Sequence, residues 1–153
     1  MEQPNNSLNA PSKAFSIASI AVLVIGIATY VFGLFNADML LNEKGYYLIV
    51  LMYGLFSAVS LQKSIRDKQE NIPTSNIYHL LSLVSAASAI LLLGVGLYNA
   101  NLLLSEKGFY GIAYLMSLYA AVAVQKNVRD KETANHLVAE EAHDSKSTEL
   151  DTE

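Results

Sequence analysis

The sequence predicts an all-α membrane protein, with four transmembrane helices arranged as two parallel-repeat helical hairpins. Three observations predict it. Long stretches of the 153-residue chain carry no charge, the chain repeats itself at an offset of 63, and the lysines and arginines gather at one end of the apolar stretches.

Ala14 to Ala37, Gly45 to Gln62, Asn71 to Ser105 and Gly108 to Gln125 run for 24, 18, 35 and 18 residues without a charge. Roughly 20 helical residues cross the hydrocarbon, so each stretch is a span. The second and fourth are short by that measure, and their flanking lysines extend them by snorkelling. A soluble bundle needs a charged face along each helix, which these segments lack.

In chain order, residues 1–13 form a polar cytoplasmic N-terminus without the basic start of a secretory signal, followed by an uncleaved first span. Residues 14–68 are the first two-helix repeat, 69–76 a cytoplasmic linker, and 77–131 the second repeat. Residues 132–153 carry seven acidic residues and one lysine. Such an acidic, aromatic-poor tail is expected to stay largely disordered in the cytoplasm after a short helical extension.

The repeat is most exact at the helix ends. GLFNADMLLNEKGYY (33–47) lies over GLYNANLLLSEKGFY (96–110) with ten of fifteen positions identical, and LFSAVSLQKSIRDK (55–68) over LYAAVAVQKNVRDK (118–131) with eight of fourteen. The first spans of the two units share only Ser19/Ser82 and Ile27/Ile90. Lipid-facing positions need only be apolar, whereas helix ends must satisfy particular backbone groups. Each unit has an even number of spans, so both enter the membrane the same way, related by a pseudo-twofold axis along its normal.

Eight of the ten cations (Lys13, Lys63, Arg66, Lys68, Lys126, Arg129, Lys131 and Lys146) fall at one end of the spans, and only Lys44 and Lys107 at the other. This bias predicts cytoplasmic termini and outward-facing EKG loops.

In those loops Asn42 and Ser105 are expected N-caps, with Glu43 and Glu106 in the first turn. Leu41 with Tyr46 and Leu104 with Phe109 have hydrophobic-staple spacing. Tyr46, Tyr47, Phe109 and Tyr110 are expected to form an aromatic belt. Asn36, Glu43, Lys44, Asn99, Glu106 and Lys107 are the candidate interaction or pairing residues. Adjacent residues on a helix do not face each other. A pseudo-twofold would therefore pair Glu43 with Lys107 and Glu106 with Lys44, and let Asn36 and Asn99 satisfy free carbonyls or bind across the repeat.

At the basic end, Lys63, Arg66, Lys126 and Arg129 are candidate contacts for anionic lipid, and His79 is expected as an interfacial residue. Small residues mark packing faces: Ser19, Gly26 and Gly33 at intervals of seven, and Gly54-x-x-x-Ala58 matched by Ser117-x-x-x-Ala121. Ser82, Ser85 and Ser88 offer an alternative as a polar path. No span contains a charge, the usual mark of an ion or proton route. The chain has no cysteine, phosphate loop, nucleophile elbow or metal-ligand spacing. No catalytic residue, metal ligand or cofactor is assigned, and an enzyme is not expected.

The duplicated G-L-(F/Y)-N-A…(N/S)-E-K-G-(Y/F)-Y and Q-K-x-x-R-D-K phrases resemble the YiaA/YiaB family of bacterial inner membrane proteins, from about Ala14 to Lys131. The family pattern has Trp where this chain has Phe35 and Tyr98. The resemblance implies the bacterial inner membrane and four spans, and brings no activity, cofactor or partner with it. The expected role is therefore non-catalytic, in interaction or envelope maintenance. The partners would be membrane lipids, a second copy or another membrane protein, and not nucleic acid. The alternatives are a small transporter or channel for a neutral solute, or an anionic-lipid-binding protein.

Overall fold

The computed structural model describes residues 11–150, and the side chains of 11–140. The segment 1–10 and the last three residues lie outside it, so most of the polar N-terminus is not addressed. Four helices follow one another: α1 (Lys13–Asn36), α2 (Leu41–Gln69), α3 (Asn76–Asn99) and α4 (Leu104–Leu150). Each is long and apolar enough to cross a membrane. Serines at equivalent positions start α1 and α3. Ser12 Oγ accepts the Phe15 N–H at 3.2 Å, and Ser75 Oγ accepts the Ile77 N–H at 3.3 Å. Large apolar side chains point outward, among them Phe32, Phe56, Leu91 and Tyr119. In water such a surface would aggregate; in a bilayer it is the solvated face.

The helices of one repeat barely touch each other. α1 packs along α4 and α2 along α3, while α2 and α4 meet at the centre. Each repeat thus lays its first helix against the second helix of the other, and the core is shared between them. Neither hairpin has a core of its own.

Reciprocal close approaches fix this arrangement. A Cβ on Gly33 would stand 2.9 Å from the Phe109 ring, and one on Gly96 would stand 2.7 Å from the Tyr46 ring. The two glycines are equivalent positions, each receiving the aromatic pair of the opposite repeat. Ser19, Gly26 and Gly33 all face α4: Ser19 bonds Asn127, and Gly26 lies against Ser117. Tyr47 and Tyr110 are therefore buried in the core, and the expected belt keeps only Tyr46 and Phe109 partly exposed.

The symmetry breaks in the middle of the core. Tyr30 and Tyr114 are fully buried where the other repeat has Leu93 and Leu51. The Tyr30 hydroxyl donates to the Tyr47 carbonyl at 3.1 Å, and Tyr114 to the Val50 carbonyl at 3.2 Å. Both acceptors are helix carbonyls. Tyr114 reaches its acceptor because Gly54, one turn further on, leaves the space open; a Cβ there would collide with the tyrosine hydroxyl.

α4 runs on past the membrane. Its 47 residues extend roughly 70 Å at 1.5 Å each, against a hydrocarbon core of about 30 Å. The expectation of a largely disordered tail from residue 132 thus meets a helix through Leu150. From Ile112 to Leu150 there is no Gly or Pro to end it.

Gly54→Ala is expected to overpack the α2–α4 contact, lowering stability by about 1–3 kcal/mol. Adding Tyr114→Phe should recover part of that loss, because it removes the nearer of the two colliding atoms and leaves the Cζ at 2.6 Å. Unfolding midpoints of both variants in detergent check this.

Candidate functional site

The end of the bundle that carries the α1–α2 and α3–α4 loops explains the duplicated EKG phrase. Glu43 reaches back so that its Oε2 accepts the Leu40 N–H at 2.9 Å, and Glu106 does the same for the Leu103 N–H at 2.8 Å. This is the acidic half of a capping box. A leucine side chain has no acceptor, so the N-cap position itself contributes none. Asn42 and Ser105 are therefore not the caps: the helices begin earlier, and Leu41 and Leu104 are strongly exposed rather than stapled.

The lysines serve the preceding helix. Lys44 Nζ donates to the Phe35 carbonyl at 2.9 Å, and Lys107 Nζ to the Tyr98 carbonyl at 3.2 Å. Asn36 and Asn99 donate to the Phe32 and Val95 carbonyls at 2.7 and 2.8 Å. Each phrase thus joins the end of one helix to the start of the next within its own repeat. Among the described residues, no ion pair links Glu43 to Lys107 or Glu106 to Lys44, because local backbone groups already hold all four. Nothing in the fold accounts for the glycine of the phrase, since a Cβ at Gly45 or Gly108 meets open space.

Between the α1–α2 and α3–α4 loops lies a cleft of about 530 Å³. Asp38, Asn42, Glu43 and Tyr46 line it from the first repeat, and Asn99 and Asn101 from the second. Glu43 and Asn99 are committed to helix ends, and the Tyr46 hydroxyl donates to the Leu92 carbonyl at 2.7 Å. Asp38, Asn42 and Asn101 form no side-chain hydrogen bond among the described residues.

The cross-repeat ion pairs sit at the opposite end. Arg66 meets Asp130 at 3.2 Å, and its equivalent Arg129 meets Asp67 at 3.4 Å. Glu70 bridges both arginines, at 2.7 Å from Arg66 and 2.8 Å from Arg129. The Arg66 hydrogen bond holds the Glu70 carboxyl below the usual carboxylate range, with Arg129 adding to it and partial desolvation opposing both. Lys63 and Lys126 pair with the same aspartates, Asp67 and Asp130, at 2.7 and 2.8 Å. The four cations read as lipid contacts thus turn toward carboxylates at the α2–α4 contact. The repeated R-D dipeptide was the available signal, since a twofold crosses each arginine onto the other repeat's aspartate.

Two further polar clusters lie just inside this end, at equivalent places. Ser64 Oγ is 2.9 Å from His79 Nδ1, and Ser82 Oγ donates to the His79 carbonyl. In the other half, Asn127 donates to Ser19 Oγ at 3.1 Å, and Ser19 to the Phe15 carbonyl. His79, near the start of α3, is therefore packed against α2. These clusters gave little sequence signal, because Ser64 aligns with Asn127 and His79 with Ser16.

Taken together, these features define a tandem-repeat, four-span membrane protein, clamped by ion pairs at one end and carrying a polar cleft at the other. The yiaA/B two helix domain matches the chain twice, at residues 15–67 and 78–130. The chain belongs to that family. It is 59% identical over 126 residues to the inner membrane protein YiaA of Escherichia coli, covering 82% of this chain and 87% of that protein. It is 39% identical over 59 residues to the uncharacterized membrane protein YubF of Bacillus subtilis, covering 38% of this chain and 68% of that one. No solved structure matches it. The chain is a multi-pass inner membrane protein, and neither relative's name states an activity.

Reversing one charge of the clamp, with Asp130→Arg, should lower the unfolding midpoint by placing a third cation beside Arg66 and Lys126. Combining it with Arg66→Asp should restore the part of the loss that belongs to this pair, while the Arg66–Glu70 and Lys126–Asp130 contacts stay broken. A double-mutant cycle on midpoints in detergent measures the coupling.

Proposed function

We propose that the protein is a non-catalytic interaction protein of the inner membrane, whose outer cleft receives a polar element of another envelope protein. One observation carries the reading: polar side chains line the cleft without being used by the fold. The charged and amide groups beside it all terminate helices, whereas Asp38, Asn42 and Asn101 are left facing the space. Uncommitted polar groups around a concavity favour binding, since they supply orientation without costing a helix its caps.

The proposed topology has both termini in the cytoplasm and the cleft outside, supported by the distribution of lysine and arginine. A solute path is the weaker reading. Below the cleft, the bundle axis is filled by Tyr30, Leu51 and Tyr114, all essentially inaccessible. Transport would require those side chains to part.

Crosslinking in native membranes followed by gentle extraction is expected to recover a stoichiometric companion protein. Asp38→Ala/Asn42→Ala/Asn101→Ala should lose that companion while its membrane level and unfolding midpoint stay unchanged. A companion retained by the triple variant, or a lone protein that carries solute flux in liposomes, would refute the reading.

A further inference from the structure

The turn between α2 and α3 encloses a second pocket, of about 200 Å³, at the lysine- and arginine-rich end. The turn is a Schellman motif. The Ile72 N–H bonds the Asp67 carbonyl at 2.9 Å, and Asn71 takes the left-handed conformation at φ 55°. This folds the chain back over the last turns of α2. The walls are Ser64 and Lys68 from α2, Asn71, Ile72 and Thr74 from the turn, and Asn76 and His79 from α3.

The inventory of these walls is one-sided. Beside Ile72 it comprises an ammonium, an imidazole, two hydroxyls (that of Thr74 donating to the Ile72 carbonyl at 3.1 Å) and two amides, and no carboxylate. The nearest acids are spoken for: Asp67 by Lys63 and Arg129, and Glu70 by Arg66 and Arg129. Lys68 has no carboxylate within salt-bridge reach among the described residues. Ser64 is completely buried and its hydroxyl lies against His79 Nδ1. When that hydroxyl donates to Nδ1, the ring proton sits on Nε2, and the imidazole becomes a second donor for an anion. The volume falls below the ~300 Å³ at which pockets for larger ligands begin. It suits a compact anionic group at head-group depth.

We propose that this pocket binds a phosphate group, supplied by a phospholipid head group or by free phosphate, with Lys68 and His79 as its principal contacts. The site is separate from the outer cleft and independent of what occupies it. It also differs from the arginine cluster, where every cation is already paired with a clamp carboxylate. Among the described residues the second repeat has no equivalent turn to form such a pocket: α4 continues as a helix, and Asn127 and Ser16 stand where Ser64 and His79 do.

The test uses the full chain in maltoside micelles. Thermal unfolding is followed with inorganic phosphate against chloride at equal ionic strength. In a second arm, native mass spectrometry compares retention of phosphatidylglycerol with that of phosphate-free galactosyl diacylglycerol. Stabilisation by phosphate, selective retention of phosphatidylglycerol, or both is expected, and the two arms tell the sources apart. Lys68→Gln alone lies on the exposed side and should leave the fold intact. It should weaken binding about tenfold, as expected for one charge-assisted hydrogen bond, and adding His79→Gln should weaken it further. Lys63→Gln/Lys126→Gln should bind as the unaltered protein does. No response in either arm, or equal binding by Lys68→Gln/His79→Gln, overturns the proposal.

Discussion

Within a bilayer, two apolar helix faces gain almost nothing by meeting, because lipid solvates them equally well. What holds this bundle together must therefore be close backbone approach, buried hydrogen bonds and end-to-end ion pairing. All three are concentrated between the repeats. Gly33 and Gly96 admit the aromatic pairs of the opposite repeat, Tyr114 crosses from α4 to a carbonyl of α2, and Arg66 and Arg129 exchange aspartates. A buried polar contact between membrane helices averages only about 0.6 kcal/mol. Stability thus rests on many small inter-repeat terms, and the connecting loops contribute by fixing which helix ends lie together.

That division of labour accounts for the duplicated phrases. EKG is local: it terminates helices inside each repeat, so each copy needs it for itself. QKxxRDK is reciprocal: each copy needs it because the other copy contacts it. The core between them carries no such requirement and has diverged. Tyr30 and Tyr114 replace leucines, and Gly54 stands opposite Ser117 in the alignment, where it makes room for the Tyr114 hydroxyl. The shared core also explains why a two-helix unit occurs in tandem. A single repeat would leave Tyr47, Gly33 and Arg66 without the surfaces they meet here.

Much of this was legible in the sequence. Charge-free runs located all four helices, and the small residues at Ser19, Gly26 and Gly33 marked the face of α1 that packs. Which helix that face meets was not legible, because periodicity identifies a face without identifying its neighbour. Lipid also removes the polarity contrast that separates inside from outside, so buried Tyr47 and Tyr110 looked like belt residues beside Tyr46 and Phe109. The caps were misplaced because a leucine N-cap leaves no signature, and only the reach of Glu43 and Glu106 reveals it. In the tail, acidic composition suggested disorder, while the lack of any helix breaker was the stronger determinant. Of the site, the cleft depends on loops brought together from both repeats. The Ser64–His79 pocket depends on a turn that has no counterpart in the second repeat.

The exchange of helices between repeats is most directly tested by a disulfide between α1 and α4. The chain has no cysteine, and a Cβ on Gly26 would lie 3.4 Å from the Ser117 Cα. Gly26→Cys/Ser117→Cys, with a protease site inserted between α2 and α3, should oxidise and keep the two halves joined after cleavage. Halves that separate under oxidising conditions, with both thiols still free, would contradict the shared-core arrangement.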